Sequence, residues 1–260
     1  MKKIKKPVNA LKTSRLARGL LFAAPVAAVT ALLLVPRDGE VKMPDFRPLE
    51  TQQRKADFFG FLTPIVASVN AHIAREKVRL QSLARGLRDG AQLSWSDRRW
   101  IHELGKAYKV SIGEKGVTSS TVATLLLRVD VVPEPLVLVQ AAKESGWGTS
   151  RFAVQGNNLF GQRCYMPGCG IPPKGAESGV RFGLAHFDSV RDSVVSYIRN
   201  LNTHRQYRSF RELRKSLRDA NEPLDPLILA GQLGDYSERG GQYVAELKTL
   251  IRQNHDVEDE

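Results

Sequence analysis

The sequence predicts a mainly α-helical domain that carries one small irregular or β lobe. Three observations predict it. Apolar residues recur at three- and four-residue steps over long stretches. Several of these stretches open on a Ser, Asp or Pro start signal. One stretch, residues 161–183, breaks the pattern with repeated glycines, three prolines (Pro167, Pro172, Pro173) and two cysteines, and it cannot be one long helix. The chain has 260 residues, 42% of them apolar and 25% charged, which is enough for one sizeable core or two small ones.

The formal net charge of +12 favours an acidic partner such as nucleic acid, anionic lipid or an acidic polymer. Its placement argues against nucleic acid. Seven of the cations (Lys2, Lys3, Lys5, Lys6, Lys12, Arg15, Arg18) precede residue 19 with no acid among them, and the excess over the rest of the chain is only +5. Residues 19–35 are then 17 uncharged, mostly apolar residues. That length sits at the lower edge of a membrane span and is long for the apolar part of a signal peptide. Lysines before the segment and none inside predict an N-terminus left in the cytoplasm. No small-x-small cleavage site follows it, so an uncleaved signal anchor is favoured over a cleaved signal. The expected organisation is a basic and anchoring segment over 1–36, a polar linker over 37–50 and one exported domain over 51–255.

From Thr51 the pattern is helical, with Phe58, Leu62, Ile65, Val66, Val69, Ile73, Leu80 and Leu87 on helical spacings. Pro64 is expected to kink or break this run, and Asp89-Gly90 to end it. Ser94 starts a second helix carrying Trp100, Ile101, Leu104 and Tyr108. A serine–threonine cluster at 119–121 caps a third over 122–129. Pro135 suits the first turn of a fourth, whose residues 136–142 are apolar nearly all round apart from Gln140. Beyond residues 161–183, Asp188-Ser189 begins another helix, and further ones are expected over 207–217, 226–233 and 242–253, the last burying Val244, Leu247, Leu250 and Ile251. Cys164 and Cys169, close together in an exported chain, are candidates for a disulfide closing a small loop, and are too few for a structural zinc site.

The chemistry concentrates in residues 133–161. Glu144 ends the apolar helix. A carboxylate there meets the negative end of the helix dipole and loses hydration, and both raise its pKa. A carboxylic acid still protonated near neutral pH is what a glycosidase general acid must be. Trp147, three residues on, is placed to wall the acid off from water, and Gly146 and Gly148 permit unusual backbone angles. The turn Gly156-Asn157-Asn158 offers amides to sugar hydroxyls, or is plain turn chemistry. The alternative for Glu144 is a surface acid paired with a nearby cation. The five histidines are scattered, and neither a nucleophilic triad, a phosphate loop nor a metal-spaced cluster is present in the sequence.

The segments AAKESGWGTS and GNNLFG, followed by CYMPGCGI, by RFGLAHFDSVRDSVVSYIRNLNTHRQYRSFR and by DYSERGGQYVAELKTLI, resemble the bacterial cell-wall glucosaminidases of glycoside hydrolase family 73. The similarity is to the Bax-like branch, related to the hydrolase domain of the flagellar protein FlgJ, and covers about residues 50–254. It implies a lysozyme-like helical fold whose small β lobe faces the acid. It implies an endo-β-N-acetylglucosaminidase that cuts the β-1,4 bond after N-acetylglucosamine in peptidoglycan. Glu144 matches the catalytic acid. Glu177, the sole acid between Glu144 and Asp188, is the candidate for a second acid on the lobe, and a solvated lobe residue is its other reading. Asp188 reads as the cap of the next helix. Tyr243 is a candidate aid to the reacting N-acetyl group, with Trp147, Asn157, Asn158, Phe160 and Tyr236 as candidate substrate contacts. No cofactor or metal is implied. The expected partners are glycan strands and, through residues 19–35, the inner membrane, with the domain a monomer in the cell envelope, anchored facing the periplasm or released into it. A lytic transglycosylase on the same scaffold and a non-catalytic peptidoglycan-binding protein are the alternatives.

Overall fold

The computed structural model describes residues 42–114, 116–166, 169–172 and 183–255. The apolar segment 19–35 and Glu177 lie outside them. Among the described residues no helix is long and apolar enough to cross a membrane. The domain is mainly α with a small β lobe. In chain order, α1 is Thr51–Arg88, α2 Trp95–Ala107, α3 Ser119–Arg128, α4 Glu134–Ser145, α5 Arg151–Gly156, α6 Val190–Thr203, α7 Arg208–Asp219, α8 Pro226–Ala230 and α9 Gly241–His255. Between α5 and α6 come β1 (Arg163–Cys164), β2 (Gly170–Ile171) and β3 (Gly183–Ala185), with β3 central and antiparallel to both.

The fold is organised around α4. Leu136, Val137, Leu138, Val139, Gln140, Ala141, Ala142 and Ser145 are all buried. Helices α1, α8 and α9 pack around it. Their contributions are Phe58, Leu62, Val66 and Val69 from α1, Leu229 and Ala230 from α8, and Tyr243, Leu247 and Ile251 from α9. The buried row of α9 begins at Tyr243, whereas the sequence pattern placed Val244 on that face. Val244 is only partly buried. A phenol that finds a hydrogen-bond partner can occupy a core position that hydrophobicity alone assigns to a neighbouring valine.

Pro64 does not break α1, which runs through it for 38 residues. The carbonyl that loses its donor belongs to Gly60, and both residues are exposed, so water takes the missing hydrogen bond. Residues 42–50 are not a free linker. Phe46 is buried edge-on against Phe58 and Phe61, and the Arg54 guanidinium donates to the carbonyls of Phe46 and Leu49. Helix α3 starts earlier than expected because Thr118 and Thr121 form a capping box ahead of the serines. Helix α5, which the sequence did not announce, is opened by the Ser150 hydroxyl accepting from the Ala153 amide. Helix α6 is capped by Ser189, not Asp188. Helix α8 stops at Ala230, ahead of the expected 233.

The lobe is covalently closed, with Cys164 and Cys169 joined in a disulfide at a Cα separation of 6.0 Å. Gly170 is required where the strands meet, since a Cβ there would fall 2.1 Å from the Leu184 carbonyl oxygen. Tyr165 and Met166 stand exposed in the loop that the disulfide closes.

Candidate active site

The end of α4 is shaped by three consecutive left-handed residues, Gly146 (φ 58°), Trp147 (φ 57°) and Gly148 (φ 74°). The buried Ser145 hydroxyl holds this turn, donating to the Ala141 carbonyl at 2.6 Å and accepting from the Gly148 amide at 2.8 Å. The Trp147 amide donates back to the Ala142 carbonyl at 2.8 Å. Gly148 has no room for a side chain, because a Cβ would lie 2.7 Å from the Phe46 ring. The chain thus leaves α4 abruptly and leaves Glu144 at the helix end, partly buried.

Burial pushes the Glu144 carboxyl above the usual carboxylate range. A hydrogen bond from Tyr243, then Lys143 and Arg239, pull in the opposite direction without reversing it. The acid is ringed by phenols. Its carboxyl interacts with the Tyr243 hydroxyl, and its charge is felt by Tyr197, Tyr207 and Tyr236 as well. Burial, with the nearby carboxylates adding to it, pushes Tyr207 up to about 12 and raises the other three as well, so all four are neutral at physiological pH.

The rings are locked by stacking. Tyr236 lies on Tyr243 at 5.6 Å and 9°, and Tyr197 on Phe160 at 4.0 Å and 10°. The Tyr236 hydroxyl donates to the Phe160 carbonyl at 3.0 Å. Across Tyr243, Lys143 and Arg239 both pair with Glu246 of α9, and the Lys143 ammonium sits 5.6 Å from the Tyr243 ring. The Lys143–Glu246 pair fastens α9 to α4 beside the acid.

The structure therefore brings Glu144, Tyr243, Tyr236 and Phe160 together. It directs Trp147 elsewhere: the indole packs edge-on against Phe58 (6.1 Å) and Phe59 (5.1 Å) of α1, with Lys55 above it at 5.3 Å. The asparagines hold the fold. Asn157 caps α5 in a left-handed conformation, and its amide donates to the Phe187 carbonyl at 2.9 Å. Asn158 is buried, donates to the carbonyls of Gln162 and Ala185, and accepts from the amides of Phe160 and Gln162. That exhausts its side-chain amide and leaves nothing for a sugar. Phe160 is core. Four residues of the cluster were missed from sequence: Gln140, Tyr197, Tyr207 and Glu246. Gln140 did give a signal, as the one polar residue in an apolar run.

A helical body, a β lobe and a half-buried acid among phenols at a helix end define a glycosidase-type domain. A profile described as mannosyl-glycoprotein endo-β-N-acetylglucosaminidase matches residues 120–256, more than half the chain, with Glu144 and the four tyrosines inside the match. The chain belongs to this glucosaminidase family, in its Bax-like branch. It is 36% identical over 214 residues to "Protein bax" of Escherichia coli (strain K12), a match that covers 82% of this chain and 74% of that protein. No solved structure gives a significant match.

Proposed function

We propose that the chain is an endo-β-N-acetylglucosaminidase that hydrolyses the β-1,4 bond after N-acetylglucosamine in peptidoglycan, with Glu144 as the general acid. The observation that carries this reading is the environment of Glu144: a carboxyl at the end of a buried helix, its proton affinity raised by burial, within a cluster of neutral phenols. Membership of the glucosaminidase family supports the substrate class.

In the proposed reaction Glu144 gives its proton to the glycosidic oxygen as the bond to the anomeric carbon breaks. Tyr243, donating to the resulting carboxylate, stabilises the charge that the step leaves behind. The second group is assigned to Glu177, on the chain between β2 and β3. If the substrate's own N-acetyl carbonyl attacks instead, Glu177→Gln retains activity. Tyr236, partly exposed, is the aromatic surface proposed to meet a sugar ring. Residues 19–35 are proposed to tether the domain at the inner membrane, facing the periplasm, and resistance of the full chain to carbonate extraction from membranes checks this.

Digestion of purified peptidoglycan, with mass spectrometry of the products, tests the function. Reducing N-acetylglucosamine ends are expected, and none from Glu144→Gln, which should still bind glycan. Equal hydrolysis by that variant and the parent would remove Glu144 from the role. A lytic transglycosylase is the second reading. It is favoured by one observation: Glu246, a carboxylate beside the acid among the described residues, is neutralised by Lys143 and Arg239 and is poorly suited to act as a base. Products ending in 1,6-anhydromuramic acid would establish that reading instead.

A further inference from the structure

Gln140 lies one helical turn before Glu144, and so on the same face of α4. It is 0% exposed. A buried amide is tolerated only when its groups are paired, and here both ends are. The Tyr197 hydroxyl donates to Oε1, and Nε2 donates to the Tyr243 hydroxyl oxygen at 2.8 Å.

A phenol has a single proton. Since the Tyr243 oxygen already accepts from Gln140, its own proton is directed away from the amide, toward the carboxyl of Glu144. Tyr197 keeps the amide from turning over. Its ring is stacked on Phe160 and fully buried, and Oε1 is the acceptor of its proton. A flipped amide would present NH₂ to Tyr197 and strand that proton in the core.

We propose that Gln140 is a positioning residue: its amide, held by Tyr197, fixes the direction in which Tyr243 donates, and so sets how readily Glu144 releases and regains its proton. This rests on the reading of Glu144 as the general acid. Tyr197 of α6, Gln140 of α4 and Tyr243 of α9 thereby form one directed relay that ends on the acid. The other charged or titratable groups acting on or around Glu144 are Lys143 on α4, Arg239 and Tyr236 ahead of α9, Glu246 on α9 and Tyr207 ahead of α7. None of them touches the amide, so a Gln140 substitution leaves them in place.

The sign of the effect is fixed. Donation from Tyr243 favours the ionised carboxyl, so weakening it raises the pKa of Glu144. A general acid works while protonated, so the alkaline limb of the pH–rate profile should move to higher pH. In Gln140→Glu the new carboxylate accepts from both tyrosines and turns the Tyr243 proton away from Glu144. Its limb should rise by about one pH unit, a tenfold change in proton affinity. Gln140→Met, which only releases Tyr243, should move it less. Tyr197→Phe loses one oxygen and keeps the ring stack, so it is the variant best suited to fold, and it should move the limb in the same direction.

The experiment is peptidoglycan hydrolysis against pH by the full chain, for these variants in the parent and in the Tyr243→Phe background. If Gln140 acts through Tyr243, Gln140→Met shifts the limb in the parent and adds nothing in Tyr243→Phe. Limbs that stay unmoved in all three variants, while activity still requires Glu144, would overturn the role of Gln140 alone. So would shifts that persist undiminished in Tyr243→Phe. Hydrolysis that survives Glu144→Gln would overturn the relay together with the assignment of the acid.

Discussion

At neutral pH the Glu144 carboxyl stands in surroundings that favour its protonated form, and this has a consequence for stability as well as chemistry. Its folded pKa lies above the unfolded value, so the folded state binds the extra proton between the two, and stability falls as pH rises through that window. Glu144→Gln removes the group that must ionise. The variant is expected to melt at a higher temperature than the parent at pH 7, with the difference closing as pH falls through the ordinary carboxylate range near 4.5. Calorimetry at a series of pH values checks this, and an equal or lower melting temperature at pH 7 would count against a buried acid. Glu144 itself was legible in the sequence because a lone acid ending an apolar helix is a local anomaly. Of its neighbours, Tyr243 and Tyr236 were reached only through the family resemblance, and Gln140 and Tyr197 not at all. Tyr197, Gln140 and Tyr243 lie 57 and 103 positions apart along their hydrogen bonds, and no local pattern connects them.

Two elements carry features that local rules alone misjudge. Pro64 was expected to kink or break α1, and it does not break it, because the orphaned Gly60 carbonyl is exposed to water. The proline is therefore a tolerated defect. Pro64→Ala should restore the missing hydrogen bond and raise stability by about 1–3 kcal/mol, read from urea unfolding. At the other end of the scale, the turn after α4 has no slack. Gly148→Ala would force a Cβ to within 2.7 Å of Phe46 at φ 74°. It should destabilise by roughly 2–4 kcal/mol, since backbone strain and overpacking each contribute. Phe46, read from the sequence as part of a linker, is what makes this glycine necessary, so truncating residues 42–50 should lower stability in the same assay.

At the scale of the molecule, the helices are tied together at the opposite end of α4 by one acid. Asp130, 2% exposed, pairs with Lys77 of α1 at 2.8 Å and with Arg218 of α7 at 3.1 Å, with the buried Arg214 guanidinium at 3.8 Å. Lys77 and Arg214 also donate to carbonyls at and just beyond the end of α3. Burial opposes the charge on Asp130, but Arg214, Lys77 and Arg218 hold its carboxyl below the ordinary value of 3.8. The contribution to stability is therefore present above that value and lost as pH falls through the depressed one. Asp130→Asn leaves buried cations without their anion and should cost about 3–5 kcal/mol in urea unfolding at pH 7, with little change in kcat where the domain remains folded. Which cations of α1 and α7 turn inward is set by where α3 ends.

By itself, the sequence determined the helical class, most helix starts, the family and the anomaly at Glu144. Each of these is written in short-range signals: period, caps, glycines and prolines, and one charged residue out of place. Only the tertiary structure decided what surrounds the acid. It drew Trp147 against α1, occupied Asn158 with backbone, buried Tyr243 in preference to Val244, and aligned Gln140 with tyrosines from two other helices. Those outcomes depend on which surfaces meet when α1, α6 and α9 close around α4. A buried polar group is settled by finding partners across the core, which no stretch of chain specifies alone.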